Sequence, residues 1–226
     1  IKDYRGYRLL AFDGSDLHFA TDPADTETYF QTQPNTKGYN LTRLNAAYDL
    51  CNRIYVDALV QPLRLCSEGR ALAAMVDRSP IKSKTIVIAD RGYEGYNNFA
   101  HIERKGWNYI IRVKDLASTG ILSGLCLPTG GEFDVVTQVT LTKKQTNEVK
   151  AHPEIYKFIP SKNTFDFLDL HENLFYPISF RVVRFILPND TYETVITNLS
   201  SADFPPDELK SIYNMRWGIE TSFRAL

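Results

Sequence analysis

Five residues constrain the fold most: Thr85-Ile86-Val87-Ile88-Ala89, an uncharged and mostly β-branched run. A run of this kind fills a central strand buried on both faces, so the chain needs layers above and below a sheet. The run ends at Asp90, and Asp90-Arg91-Gly92 turns the chain towards a helix expected from about Tyr96 to Lys105. Tyr7 to Phe12 reads as another strand, apolar and aromatic, which stops at Asp13-Gly14-Ser15-Asp16, a turn signal. Asp13 and Asp90 are therefore both expected at the C-terminal tips of strands.

The other segments fit around that pair. Leu41 to Leu50 and Ile54 to Val60 read as a hairpin, giving a three-stranded antiparallel meander with the first strand, while Thr21 to Gly38 reads as a loop. Ser67 caps a helix that begins at Glu68 and runs through Arg70 to Val76, ending before Pro80. Asn108 to Val113 is a further strand. From 114 to 191, Gly, Pro, Thr and Asn punctuate short alternating runs, which marks a β-rich insertion. Val195 to Leu199 returns to the core, and Pro205-Pro206-Asp207-Glu208 opens a last helix, with proline and acids where a helix N-terminus favours them. The expected fold is α/β: a mixed sheet flanked by helices, with core segments 1–113 and 192–226 around the insertion 114–191. The 226 residues suffice for one such core plus an insertion.

Several functional classes are disfavoured. No apolar run approaches the roughly 20 residues that span a bilayer, and Ile1-Lys2-Asp3-Tyr4-Arg5 lacks a signal peptide's apolar stretch, so no membrane and a cytoplasmic location are expected. Cys51, Cys66 and Cys126 form no C-x-x-C pair and read as small buried apolar residues. His18, His101, His152 and His171 show no zinc spacing. The net charge of −1 gives no bulk support for nucleic-acid binding, although Lys82, Lys84, Arg91, Arg104, Lys105, Arg112 and Lys114 bracket Asp90.

Carboxylates on rigid strand tips suit hard divalent cations, and two such ions roughly 3.5–4 Å apart can activate an attacking oxygen and stabilise a leaving one at a phosphodiester. The last helix offers a third carboxylate. On one continuous helix Tyr213, Arg216 and Glu220 fall within about 60° of one another, beside an apolar stripe of Ile212, Ile219 and Phe223. Arg216 can there grip phosphate bidentately and Tyr213 can donate to it.

These motifs resemble the DDE transposases of the insertion-sequence-4 type. Phe12-Asp13-Gly14-Ser15 is similar to their strand ending in D-G-[ST]; Ala89-Asp90-Arg91-Gly92-Tyr93 is similar to their D-[RG]-[GA]-[YF]; and Tyr213, Arg216 and Glu220 match the spacing Y-x2-R-x3-E. The lysine that continues the last signature would fall one residue past Leu226, and no helical DNA-binding region precedes Asp3, so the resemblance points to a catalytic domain. It covers nearly the whole chain. It implies a ribonuclease-H-like fold and cut-and-paste transposition, by hydrolysis and then strand transfer at transposon-end DNA and target DNA. It further implies catalytic Asp13, Asp90 and Glu220 as ligands of Mg²⁺, two ions being expected and Mn²⁺ substituting. DNA contacts from Tyr213, Arg216 and Arg91, a homodimer in the active complex, and a prokaryotic, nucleoid-associated setting follow from it too. An insertion aromatic, among Phe158, Phe165, Phe167, Tyr176 and Tyr192, is expected to stack a flipped base.

Plainer readings stand beside these. Asp13 and Asp16 can be turn formers, Asp90 a βα-loop cap, Glu220 a solvated helix carboxylate, and Arg216 and Tyr213 internal braces of the helix. Trp107 and Trp217 read as packing anchors. A haloacid-dehalogenase-type phosphatase would want D-x-D, which Asp13-Gly14-Ser15-Asp16 does not supply. A catalytically silent or domesticated DNA-binding protein with the same fold is the alternative from another class.

Overall fold

A computed structural model describes residues 1–116, 118–169 and 171–225. Ala117 and Leu170, in the expected insertion, and Leu226, at the expected end of the core, lie outside them. Among the described residues ten strands join in one mixed sheet. In chain order they are β1 (Arg8–Phe19), β2 (Tyr29–Phe30), β3 (Tyr39–Asp49), β4 (Ile54–Pro62), β5 (Thr85–Ala89), β6 (Asn108–Val113), β7 (Phe133–Thr142), β8 (Tyr156–Phe158), β9 (Tyr176–Ile186) and β10 (Tyr192–Thr197). The helices are α1 (Glu68–Arg78), α2 (Tyr96–Arg104), α3 (Asn147–Ala151), α4 (Pro206–Asn214) and α5 (Trp217–Phe223).

The sheet runs β2-β3-β1-β5-β6-β10-β9-β7-β8, with β4 also paired to β3. Strands β3 and β4 form the expected hairpin, β3 pairs antiparallel with β1, and β1, β5 and β6 are mutually parallel. That is the ribonuclease-H-like core. The insertion strands continue the same sheet, since β9 pairs with β10 and β7 with β9.

Side-chain parity explains the layers. All five residues of β5 are buried. Val87 and Ala89, with Leu10 and Phe12 of β1, pack against Leu72, Met75 and Val76 of α1 and Phe99 and Ile102 of α2. Ile86 and Ile88, with Leu9, turn to the other face and pack on Leu209, Ile212 and Tyr213 of α4. Ala11 and Ala46 pack on Ile219 of α5. Ser67 caps α1 by accepting a hydrogen bond from Arg70 N, and Pro206, Asp207 and Glu208 fill the first turn of α4.

Four expectations need correction. Asp13-Gly14-Ser15-Asp16 is not a turn: β1 continues through it, paired with β3 as far as Phe19 opposite Asn40. The last helix is two, because the backbone tightens at Met215 and Arg216, where Gly218 N and Ile219 N bond three residues back. Trp107 is buried as expected but Trp217 is 60% exposed. Cys126 is exposed, and Cys51 and Cys66 are only partly buried. No helix among the described residues is long and apolar enough to cross a membrane.

Candidate active site

Parallel pairing of β1 with β5 ends at Phe12 opposite Ala89, so Asp13 and Asp90 are the next residues on two adjacent strands. Asp13 shares parity with Leu9 and Ala11 and therefore belongs to the face covered by α4 and α5. From that face comes Arg216, at the joint between the two helices. Its Nη1 lies 3.6 Å from Asp13 Oδ2 and its Nη2 2.6 Å from Glu220 Oε1. The guanidinium is buried, stands 5.8 Å from the Tyr213 ring and 5.5 Å from the Trp217 ring, and leaves Nε without a partner among the described residues. Tyr213 Oη is likewise buried and unpartnered among them.

Asp90 does serve as a loop cap, its Oδ1 accepting from Gly92 N at 2.8 Å. Asp13 Oδ1 accepts from Gly14 N at 2.8 Å. Burial nonetheless raises the Asp13 carboxyl to about 6, opposed by the Gly14 N–H and Arg216 and reinforced by the negative charges of Asp90 and Glu220. The structure thus brings Asp13, Asp90, Glu220 and Arg216 into one electrostatic cluster, with Tyr213 beside Arg216. Arg91, exposed in the short 3₁₀ turn Arg91–Tyr93, lines a cleft of about 690 Å³ with Arg70, Lys114, Lys157 and Phe158.

Arg43 and Glu68, to which the sequence assigned no part in the site, also stand near Asp13 and Asp90. Asp16 lies directly across from Arg43 in β3, and Arg43 Nη1 holds Asp16 Oδ1 at 2.8 Å while its Nη2 bonds Glu68 Oε1. Arg43 lies over Gly14, where a Cβ would be 2.7 Å from its Nε. Gly14 is there for this close approach, not for a turn. Tyr93 is almost fully buried, with its hydroxyl unpartnered among the described residues. The signal for Arg43 was its hairpin register, hidden by reading Asp13 to Asp16 as a turn. Glu68 read only as the first residue of the helix that Ser67 caps.

The basic residues around Asp90 do not form one patch. Lys82, Lys84 and Lys105 surround a hollow with Trp107 at the N-terminal end of β5, about 16 Å along the strand from Asp90. Arg112 pairs with Glu193 at 3.3 Å and Arg104 covers Phe167. Among the aromatics, Phe158 and Phe165 line the cleft, Phe165, Phe167 and Tyr176 pack on one another, and Tyr192 lies under Arg184.

Carboxylate oxygens are the donors hard divalent cations prefer, and the raised Asp13 carboxyl is what crowded like charges produce. In kind, the donors fit such a cation. In arrangement, no three His, Cys, Asp or Glu side chains among the described residues stand close enough to share one ion, because Arg216 occupies Glu220 and faces Asp13.

Comparison with known proteins agrees with the fold. A cryo-EM structure of a piggyBac transposase synaptic complex with hairpin DNA superposes with a TM-score of 0.55 at 8% sequence identity, over 96% of this chain and 40% of that one. The chain thus spans 40% of the length of that transposase. No curated protein matches the sequence. The family described as the transposase DDE domain matches residues 4–226. On that match, which spans nearly its full length, the chain belongs to the transposase DDE domain family.

Proposed function

We propose that this chain is a transposase catalytic domain that hydrolyses DNA phosphodiesters at transposon ends and transfers the freed strands to target DNA. One observation carries the reading: Asp13 and Asp90 sit side by side on adjacent parallel strands, each one residue past their last paired position, with Glu220 linked to Asp13 through Arg216. The solved neighbour is itself described as a synaptic complex with hairpin DNA, which supports DNA as the partner. Residues 1–113 and 192–226 form the core in this reading, and 114–191 the insertion. End pairing by a homodimer, and a place in the prokaryotic cytoplasm beside the nucleoid, complete it.

Asp13 and Asp90 would hold the cations, Mg²⁺ or Mn²⁺ and two in number, with Glu220 completing the set. When bound, they supply activation of the attacking oxygen and stabilisation of the leaving one. In their absence Arg216 is the counter-ion that Glu220 and Asp13 share. An entering phosphate offers its guanidinium a bidentate partner, and Arg216 then exchanges Glu220 for phosphate. The unpartnered Tyr213 hydroxyl and Arg216 Nε supply further donors to that phosphate. Arg91 holds the strand where it enters the cleft, and the half-buried ring of Phe158 offers a stacking surface there.

Nicking of supercoiled plasmid in Mg²⁺ or Mn²⁺ tests the reading. Asp90→Asn and Glu220→Gln should each lower it by at least about a hundredfold with melting temperature retained; undiminished nicking refutes it. A catalytically silent DNA-binding protein remains the second reading, favoured by the ion pairs that Arg216 makes with both Asp13 and Glu220. Mn²⁺ calorimetry separates the two: heat lost on Asp90→Ala supports the enzyme, and DNA binding indifferent to Mn²⁺ supports the silent protein.

A further inference from the structure

The place where β1 and β5 part is approached from both faces of the sheet, and Glu220 represents only one. On the other face α1 begins at Glu68, directly behind the Ser67 cap. Glu68 Oε1 accepts from Arg43, but Oε2 has no donor among the described residues. It looks across Gly92 at Asp90. A Cβ built on Gly92 would lie 2.7 Å from Glu68 Oε2 and 3.0 Å from Asp90 Oδ1, so the two carboxylates flank a single point. Asp90 Oδ2, like Glu68 Oε2, has no donor among the described residues. Two carboxylates held this way repel each other unless a positive charge comes between them.

Tyr93 is a second and independent sign that something belongs there. Its side chain is 1% exposed and its hydroxyl finds no partner among the described residues, which leaves a costly buried donor. Burial, and then the negative charges of Glu68, Asp13 and Asp90, hold its proton well above the usual phenol range, and its backbone N–H donates to Asp90 O at 3.1 Å.

We propose that Glu68 is a fourth carboxylate of the site, taking a divalent cation of the Mg²⁺ or Mn²⁺ class jointly with Asp90 over the bare face of Gly92. Tyr93 donates to that cation's hydration shell. The arrangement gives that place one carboxylate from each face, Glu220 from α5 and Glu68 from α1, with Asp13 and Asp90 between. It also gives Gly92 a reason: its φ is not left-handed, so only space, not backbone conformation, demands glycine. Arg43 is then the counter-ion of Glu68 in the cation-free protein, as Arg216 is of Glu220. The inference rests on the strand-cutting reading only in sharing Asp90.

Its test needs no DNA. Mn²⁺ binding to the protein is followed by calorimetry, and the site is mapped by backbone scission when Fe²⁺ replaces Mn²⁺ and, with added hydrogen peroxide and ascorbate, generates hydroxyl radical. Glu68→Gln and Gly92→Ala should each weaken Mn²⁺ binding by at least about tenfold, with Glu68→Asp recovering part of the loss. Scission in wild type should fall near Glu68 and Gly92, and persist there in Glu220→Gln. Melting in EDTA shows whether each variant folds; should Glu68→Gln fail to fold, Gly92→Ala decides, because its backbone is unstrained. Mn²⁺ bound with wild-type affinity by Glu68→Gln or Gly92→Ala overturns the proposal, while plasmid nicking by those variants leaves the strand-cutting reading in place. Glu68-dependent Mn²⁺ binding in a protein that nicks no DNA supports the cation site and overturns the strand-cutting reading instead.

Discussion

Asp13 keeps its proton up to about pH 6 because it is largely buried, beside Asp90 and Glu220, with only one N–H and a guanidinium 3.6 Å away to offset the cost. A folded carboxyl raised above its unfolded value of 3.8 binds more protons than the unfolded chain between those two values, so its contribution to stability is complete below about pH 4 and lost as pH rises through 6. At pH 8 the cation-free protein carries the full penalty, at most about 3 kcal/mol. Asp13→Asn should therefore raise stability in EDTA at pH 8, by less than that because the amide also gives up attraction to Arg216. The gain should disappear near pH 4. Urea unfolding from pH 4 to 8 measures this, and a wild type more stable than the variant at pH 8 would show that Arg216 outweighs burial. Cation binding has the same pH sense, strengthening as the pH passes 6, since the ligand must be deprotonated.

The elements that were legible are those whose local chemistry and tertiary environment agree. The run Thr85 to Ala89 is a strand buried on both faces, Ser67 caps α1, and the hairpin falls where its apolar runs place it. Asp13-Gly14-Ser15-Asp16 was misread because turn chemistry is local whereas ten residue pairs with β3 are not, and because Gly14 answers to Arg43 from another strand. The α4–α5 joint was hidden for a similar reason: Tyr213, Arg216 and Glu220 do share a face, but Arg216 sits on a tightened turn that no periodicity marks. The insertion is closed on itself and held against β10 by a contact equally silent in sequence. Arg184 of β9 grips Asp115 through Nε and Nη2 at 2.8 Å each, bonds Gly131 O, and covers Tyr192, while Thr194 of β10 also donates to Asp115. The guanidinium, helped by Thr194, lowers the Asp115 carboxyl to about 2. Its contribution is present above pH 4 and lost as pH falls through 2. Asp115→Asn should cost about 1–3 kcal/mol at pH 7 by leaving a nearly buried guanidinium short of its partner. That deficit should shrink in acid, and a variant as stable as wild type at pH 7 would mean the strand pairing alone holds the insertion.

Across the whole molecule, 26 basic residues nearly balance 27 acidic ones, so DNA affinity must come from where the cations are. Many are committed: Arg43, Arg78, Arg112, Arg181, Arg184 and Arg216 are all paired with carboxylates. Two groups of cations line hollows at opposite ends of β5. Arg70, Arg91, Lys114 and Lys157 ring the cleft beside Asp90, and Lys82, Lys84 and Lys105 stand beside Trp107 at the far end. Only the first group can hold a strand whose phosphate reaches Asp13 and Asp90, since the second is about 16 Å away along the strand. Each lost phosphate contact lowers the slope of log affinity against log salt by about one, independently of sequence. Arg91→Ala with Lys114→Ala should therefore weaken binding of short duplexes uniformly and flatten that slope by about two, whereas Lys82→Ala with Lys84→Ala should leave both unchanged. Fluorescence anisotropy from low to moderate salt reads both quantities. Were the Lys82 and Lys84 pair to carry the loss instead, DNA would lie across the N-terminal edge of the parallel strands, and the carboxylates at the opposite edge could not be where it is cut.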